Sequence, residues 1–214
     1  MKISFLCSDE NHPVNKYLKK WIDINMSVHQ IELVRKKKEL SGGDILFLIS
    51  CAEIVEEKDR SAYLYSLVLH ASDLPHGRGW SPHIWEIIAG AEFVTLSLLE
   101  AENQVDSGRI WKKVGLKIPK HALWNEINER LFKAEIKLIE FAVNEFKKVR
   151  PKAQDVSIEP TYHPRRALKD SKIDPSQSII DQFNIIRVCD PHRFPAFFEL
   201  YGKKYKITLE KFDE

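Results

Sequence analysis

Hydrophobic positions in this chain follow two rhythms. Lys2–Cys7 (KISFLC), Ile45–Ile49 (ILFLI), Leu64–Leu69 (LYSLVL) and Val94–Leu99 (VTLSLL) are short, nearly continuous apolar runs. Such runs read as strands, and continuous ones as strands buried on both faces. His29–Val34 (HQIELV) alternates and reads as a further strand. Between these runs the spacing changes to threes and fours. Val14, Leu18, Trp21 and Ile22 predict a helix opened by Pro13, whose missing N–H costs nothing in a first turn. Ser81-Pro82 starts a short helix that ends near Gly90. Leu123, Ile127, Leu131, Ala134, Leu138, Phe141 and Val149 predict one long amphipathic helix from about Pro119 to Val149. Strands alternating with helices predict an α/β fold, a Rossmann-like and mostly parallel sheet with flanking helices.

The style changes after residue 150. Arg150–Val156 (RPKAQDV) reads as a linker. Asp174-Pro175 is expected to cap a helix carrying Ile179, Ile180, Phe183 and Ile186, with Gln177 in the capping-box position. Ala196–Leu200 and Tyr205–Leu209 flank Tyr201-Gly202-Lys203-Lys204, which reads as a hairpin with Gly in the turn. The expected division is a main domain over 1–150 and a small extension over 151–214 made of one helix and a β-hairpin.

Composition narrows the function classes. The chain has 214 residues, 43% of them apolar, and 33 Lys+Arg against 31 Asp+Glu give a net charge of +2. That balance excludes a nucleic-acid binder working by bulk charge. No apolar run approaches the ~20 residues of a membrane span, so no membrane partner is expected. The opening MKISFLCSDEN turns acidic too early for a secretory leader. Cys7, Cys51 and Cys189 are odd in number and far apart, which argues against a disulfide framework. The expected setting is cytoplasmic. Arg35–Lys38 (RKKK) reads as a solvated face before it reads as a phosphate site. There is no G-x-G-x-x-G after the first strand, no P-loop, no H-E-x-x-H and no G-x-S-x-G. Cys189 and His192 form a lone C-x-x-H, so no metal site is expected.

The informative stretch is Leu67–Trp85, LVLHASDLPHGRGWSPHIW. An apolar strand ends in His70. A loop bent by Gly77 and Gly79 and stiffened by Pro75 follows, then a Pro-initiated helix. Ligands of open α/β sheets bind outside the carboxyl ends of strands. Read alone, His70 is either a chemical group at that edge or a satisfied structural histidine. Asp106, in Val105-Asp106-Ser107-Gly108-Arg109, is on its own most simply an Asx turn.

Together these stretches resemble a family. His70, Ser72, Leu74, Pro75, Gly79, Pro82, Trp85, Ile87, Ile88, Gly90, Asp106 and Gly108, within about Asp44 to Ile110, match the motif of formyltransferases that use N10-formyltetrahydrofolate. That family acts on methionyl-tRNA, glycinamide ribonucleotide or amino sugars. The tail is similar to the segment that follows the catalytic domain in nucleotide-sugar N-formyltransferases. It runs through Tyr162-His163-Pro164-Arg165-Arg166, Ile186-Arg187-Val188 and Arg193-Phe194-Pro195-Ala196-Phe197-Phe198. Tail and length together favour the sugar branch.

The resemblance makes 1–150 the catalytic domain and implies acyl transfer to the amine of a nucleotide-linked amino sugar, with glycinamide ribonucleotide or another small amine as the alternative. His70 would be the oxyanion donor or proton-transfer group and Asp106 its orienting partner. The pterin of the cosubstrate, N10-formyltetrahydrofolate, would lie between Ser50–Val55 and Glu100–Val105, touching Cys51, Ile54, Glu102 and Val105. Pro75, Arg165, Arg166 and Phe194 are the expected substrate contacts, the two arginines as a clamp on the phosphates. For Phe194, Phe197 and Phe198, stacking on a base competes with core packing. A homodimer is expected, because the apolar hairpin leaves an edge to protect. The chain departs from the family in two places. Val68 stands where an Asn usually supports the oxyanion, and Asp73 replaces a usual Leu. Either another group supplies the missing donor (first a backbone N–H of the 70–79 loop, otherwise the side chain of Ser72 or of Ser50 at the neighbouring strand end), or His70 acts alone, or catalysis is lost.

Overall fold

A computed structural model describes residues 1–212. The apolar runs form β1 (Lys2–Leu6), β2 (Gln30–Val34), β3 (Gly43–Leu48) and β4 (Tyr63–His70), with α1 (Asn15–Asn25) after β1 and the single turn α2 (Glu57–Arg60) before β4. The two-residue β5 (Arg78–Gly79), α3 (Pro82–Ile88) and β6 (Phe93–Glu100) follow, then β7 (Ile110–Lys117) and α4 (Trp124–Glu145). The extension holds the two-residue β8 (Tyr162–His163), α5 (Ile179–Arg187), β9 (Ala196–Leu200) and β10 (Lys203–Ile207). No helix among the described residues is long and apolar enough to cross a membrane.

The main sheet has the order β2-β1-β3-β4-β6-β7. Pairings β1–β2, β1–β3 and β3–β4 are parallel, while β4–β6 and β6–β7 are antiparallel. The mostly parallel expectation therefore holds, with an antiparallel edge. That edge ends in β7, which the apolar pattern did not reveal. Its sequence IWKKVGLK pairs with a strand on one side only, its other side meeting just the Ile110–Lys152 bridge, and Lys112 and Lys113 interrupt its alternation. An edge strand needs to bury only part of one face, so its signal is weak.

One face of the sheet meets α1 and α4. Ile3, Phe5, Phe47, Leu67, Leu69, Ala71 and Leu96 pack there against Leu18, Trp21, Leu138 and Ile139. Phe5 stacks on Phe47 at 5.2 Å and meets Trp21 edge-on at 5.5 Å. A second cluster joins Ile87 of α3 and Val94 of β6 to Ile127, Ile173, Ile186, Val188 and Ala196. The extension thus shares a core with α3 and the start of α4.

Four local expectations are corrected. The long helix runs from Trp124 to Glu145 and not from 119 to 149: the Glu126 carboxylate accepts the Leu123 N–H and Lys148–Val149 form a closing turn. Asp174 does not cap α5. Its Oδ1 accepts the Ser176 N–H in a turn of its own, and Ser178, directly before the first apolar residue, accepts the Asp181 N–H as the true N-cap. The hairpin turn is the two residues Tyr201 and Gly202, at φ 51° and 71°, so β10 begins at Lys203. Those paired positive angles match the right-handed twist of the strands, which a four-residue turn is not needed to meet. Finally, Arg150–Val156 is pinned and not a free linker. Ile110 and Lys152 exchange two backbone hydrogen bonds, at 2.7 and 2.9 Å.

One core residue titrates. Glu135 of α4 is buried, and its Oε2 has no hydrogen-bond partner among the described residues. Burial pushes its carboxyl from the ordinary 4.5 up to about 8. The unfolded chain releases this proton near 4.5 and the folded one near 8, so the group costs stability increasingly as pH rises between those values. We expect Glu135→Gln to gain on the wild type by up to about 1.4 kcal/mol per pH unit across that window. Below pH 4.5 the difference should not vary with pH. Urea unfolding at pH 4, 5, 6, 7 and 8 measures it.

Candidate active site

His70 is the last residue of β4 and faces Ser97 across the antiparallel pairing. Leu67, Leu69 and Ala71 point into the α1–α4 core, so the period of two turns Val68 and His70 to the opposite face. The His70 side chain is 8% exposed. Its Nε2 lies 2.8 Å from the Gly77 carbonyl, and its Nδ1 lies 3.5 Å from Asp106 Oδ2. The sequence thus pointed to two residues that the fold brings side by side. Thirty-six positions apart, they meet because β6 returns antiparallel to β4 and the turn after it comes back to the end of β4.

The backbone around His70 is held from two directions. Asp106 adopts φ +54°, and its Oδ2 accepts the Gly79 N–H at 2.9 Å. Gln154 donates through Nε2 to the carbonyls of Asp106 and Gly108, at 2.7 and 3.0 Å. Its Oε1 accepts Arg78 Nη2 at 2.7 Å. From the other side, Thr161 Oγ1 accepts the Gly77 N–H and the Thr161 carbonyl accepts the Arg78 N–H, both at 2.8 Å. The Trp80 N–H reaches the His163 carbonyl and Trp85 Nε1 reaches that of Pro164, each at 3.1 Å. The peptide unit whose oxygen faces His70 therefore has its own N–H on Thr161. Two motif glycines follow from this crowding. A Cβ on Gly79, at φ +95°, would lie 2.5 Å from the His163 oxygen, and one on Gly108 would lie 1.9 Å from the Glu100 oxygen.

Other titratable groups gather at the same end of the sheet. His83 is pushed down to about 3, first by burial and then by the charges of His70, His12 and Arg166, so it stays neutral at physiological pH. Glu86 is pushed up to about 7 by burial and by Asp73. Asp73 is ion-paired to Lys113, which also donates to the Leu74 carbonyl. His12 is pushed down to about 4 by burial, with the Arg193 cation adding to it against Asp9.

The remaining expected residues fall in two groups. Cys51 is half-buried and accepts from Ser8 Oγ, while Ile54 and Val105 are 75% and 54% exposed and Glu102 is exposed. Their loops are tied together by Arg60, which donates to the Val55 carbonyl at 2.6 Å and to Asn103 Oδ1 at 2.7 Å. On the extension side, Pro75 is buried. The two arginines diverge: Arg165 is exposed and lies over the Trp80 ring at 5.0 Å, whereas Arg166 donates to Asp170 O and Ser171 Oγ. Phe197 is buried and Phe198 stacks on Tyr205, so both pack, and Phe194 is left half-exposed beside Arg193. Sequence reasoning missed His12, Arg60, His83, Gln154 and Thr161. Of these, only His12, in a turn before a Pro-opened helix, had a local signal.

No protein-family model matches the chain. Among curated proteins, it is 28% identical over 170 residues to the bifunctional polymyxin resistance protein ArnA of Wigglesworthia glossinidia brevipalpis, covering 78% of this chain and 26% of that protein. It is 30% identical over 146 residues to the methionyl-tRNA formyltransferase of Streptococcus mutans serotype c, covering 67% of this chain and 46% of that one. The chain therefore spans about a quarter to a half of the length of these relatives. Among solved structures, methionyl-tRNA formyltransferase from Clostridium thermocellum superposes with a TM-score of 0.80 at 22% identity over 97% of both chains. A sugar N-formyltransferase from Shewanella sp FDAARGOS_354 gives 0.74 at 15% identity, covering 100% and 99%. HypX from Aquifex aeolicus in complex with tetrahydrofolic acid gives 0.75 at 19% identity, covering 95% and 36%. The fold is that of the formyltransferases. Methionyl-tRNA formyltransferases stand among both its curated relatives and its structural neighbours, and sugar N-formyltransferases among the neighbours.

The Thr161 contact generates a prediction. Thr161→Val leaves the Gly77 N–H unpaired and should cost about 1–3 kcal/mol. Thr161→Ser keeps the acceptor and should cost less than half of that. Denaturant unfolding gives the energies. The imidazole NMR signals of His70 should move in the Val variant alone.

Proposed function

We propose that this chain moves a formyl group from N10-formyltetrahydrofolate to the amine of a nucleotide-linked amino sugar. The observation that carries the reading is His70 at a strand end, between the Asp106 carboxylate and the Gly77 carbonyl. In formyl transfer, a neutral amine attacks the formyl carbon, the carbonyl oxygen becomes an oxyanion, and collapse breaks the bond from carbon to N10. Overall, one proton leaves the amine and one arrives at N10. A ring N–H that rests on a neutral carbonyl is poised to exchange it for the stronger, negative acceptor. Asp106, beside Nδ1 and fixed by the Gly79 N–H, keeps the ring in place through that exchange.

The cosubstrate reading is supported by the two loops joined through Arg60. They present exposed apolar side chains, Ile54 and Val105, at strand ends, which suits a flat heteroaromatic ring. The sugar-nucleotide reading rests on the tail. Arg165 is exposed and stacked on Trp80, so its guanidinium is free to meet phosphate. Arg166 is engaged within the extension.

The direct experiment mixes the protein with N10-formyltetrahydrofolate and a panel of UDP- and dTDP-linked amino sugars, including 4-amino-4,6-dideoxy sugars. Mass spectrometry should find a product carrying one added formyl group. Formylation of methionyl-tRNA or glycinamide ribonucleotide instead would reassign the substrate. His70→Ala should lower kcat at least about a hundredfold, the scale of one oxyanion donor, while the variant still unfolds in one cooperative transition above the assay temperature. The arginines should separate. Arg165→Ala should raise KM for the nucleotide sugar about tenfold at constant stability, and Arg166→Ala should lower the melting temperature. An unchanged KM for Arg165→Ala rules out the phosphate contact.

A further inference from the structure

An oxyanion held by His70 alone is under-supported, because β4 offers no second donor on that face: the residue two before His70 is the apolar Val68. The next strand supplies one. Leu48 of β3 pairs with Val68, so Ser50 stands two residues past the pair on β3 as His70 does on β4. Ser50 is exposed and adopts φ +47°, a left-handed backbone that few side chains occupy without a local reason. Its Oγ lies 3.2 Å from His12 Nε2.

The hydrogen-bond polarity along this line is determined. The Val14 N–H donates to His12 Nδ1 at 3.3 Å, so Nδ1 is the bare nitrogen and Nε2 carries the proton. His12 Nε2–H then donates to Ser50 Oγ. An oxygen that accepts from His12 keeps its own proton for another acceptor. His12 remains neutral at physiological pH, since burial and the Arg193 cation hold it down at about 4. The Arg193–Asp9 ion pair keeps that cation beside it.

We infer that Ser50 Oγ–H is the second donor to the oxygen that becomes negative during formyl transfer, and that His12 is the positioning residue that leaves the Ser50 proton free. The inference rests on the formyl-transfer reading above. Ser50 makes no covalent bond and loses no proton. It adds one hydrogen bond to the oxyanion, strongest in the transition state, so its removal acts on kcat more than on KM.

The test uses the full chain, N10-formyltetrahydrofolate and the UDP- or dTDP-linked 4-amino sugar that the wild type formylates. Ser50→Gly is the informative variant, because glycine accepts the left-handed backbone and folding is not at risk. It should lower kcat about ten- to a hundredfold with KM within about threefold. His12→Ala should lower kcat similarly and add little on top of Ser50→Gly, as expected for two groups on one line. Ser50→Asn, which tolerates the same backbone and carries N–H donors, should recover most of the loss. So should Val68→Asn in the Ser50→Gly background, by placing a carboxamide beside His70. Wild-type kcat in Ser50→Gly overturns the inference and leaves the function standing. Fully additive His12 and Ser50 effects overturn the relay. No formylated product from the wild type with any amine overturns both the function and this inference.

Discussion

The geometry around His70 and Asp106 depends on where the backbone of residues 77–80 can pass. It threads between the Asp106 turn and the Thr161–Pro164 segment, and every N–H of the 77–80 backbone finds an acceptor there: Thr161 Oγ1, Thr161 O, Asp106 Oδ2 and His163 O. There is no space for a side chain at Gly79. This passage sets the height of the Gly77 carbonyl over His70 and the reach of Asp106 toward the ring. A buried amide without its partner costs about as much as a lost cap or a small cavity, so the arrangement is held together as a unit. Low local polarity strengthens each bond in it.

The same constraint ties the extension to the backbone around His70. Gln154, Thr161, Tyr162 and His163 all lie beyond α4, yet they bind the loop and turn that carry His70's two partners. Charge is arranged around this frame with equal economy. His12 and His83 are kept neutral first by burial and then by nearby positive charge, while the ion pairs Lys113–Asp73 and Arg193–Asp9 sit at the margins. The Asp106 carboxylate, beside His70, is already engaged by the Gly79 N–H.

The amino-acid pattern determined much of this. Apolar runs and helical spacing were enough for the α/β sheet, because strands buried on both faces and long amphipathic helices leave unambiguous periods. The motif around His70 and Asp106 named both members of the pair, since glycines and prolines at fixed offsets mark a backbone that must bend in one way. Legibility ended where one face alone is buried, as in the edge strand Ile110–Lys117, and where turns compete, as at Asp174 and Tyr201.

Only the tertiary structure decided the rest. Arg165 and Arg166 are adjacent and chemically identical, but one rests on Trp80 facing solvent and the other is consumed by Asp170 and Ser171. Thr161 and Gln154 have no distinguishing local pattern, because a hydrogen bond to a loop 84 or 48 residues away leaves no period in the sequence. The Ser50–His12 contact joins the ends of two non-adjacent segments that meet only once β1 and β3 pair. Sequence periodicity records which side of an element is buried. Which polar groups meet across the carboxyl edge is set by strand order and register, and that appears only in the folded chain.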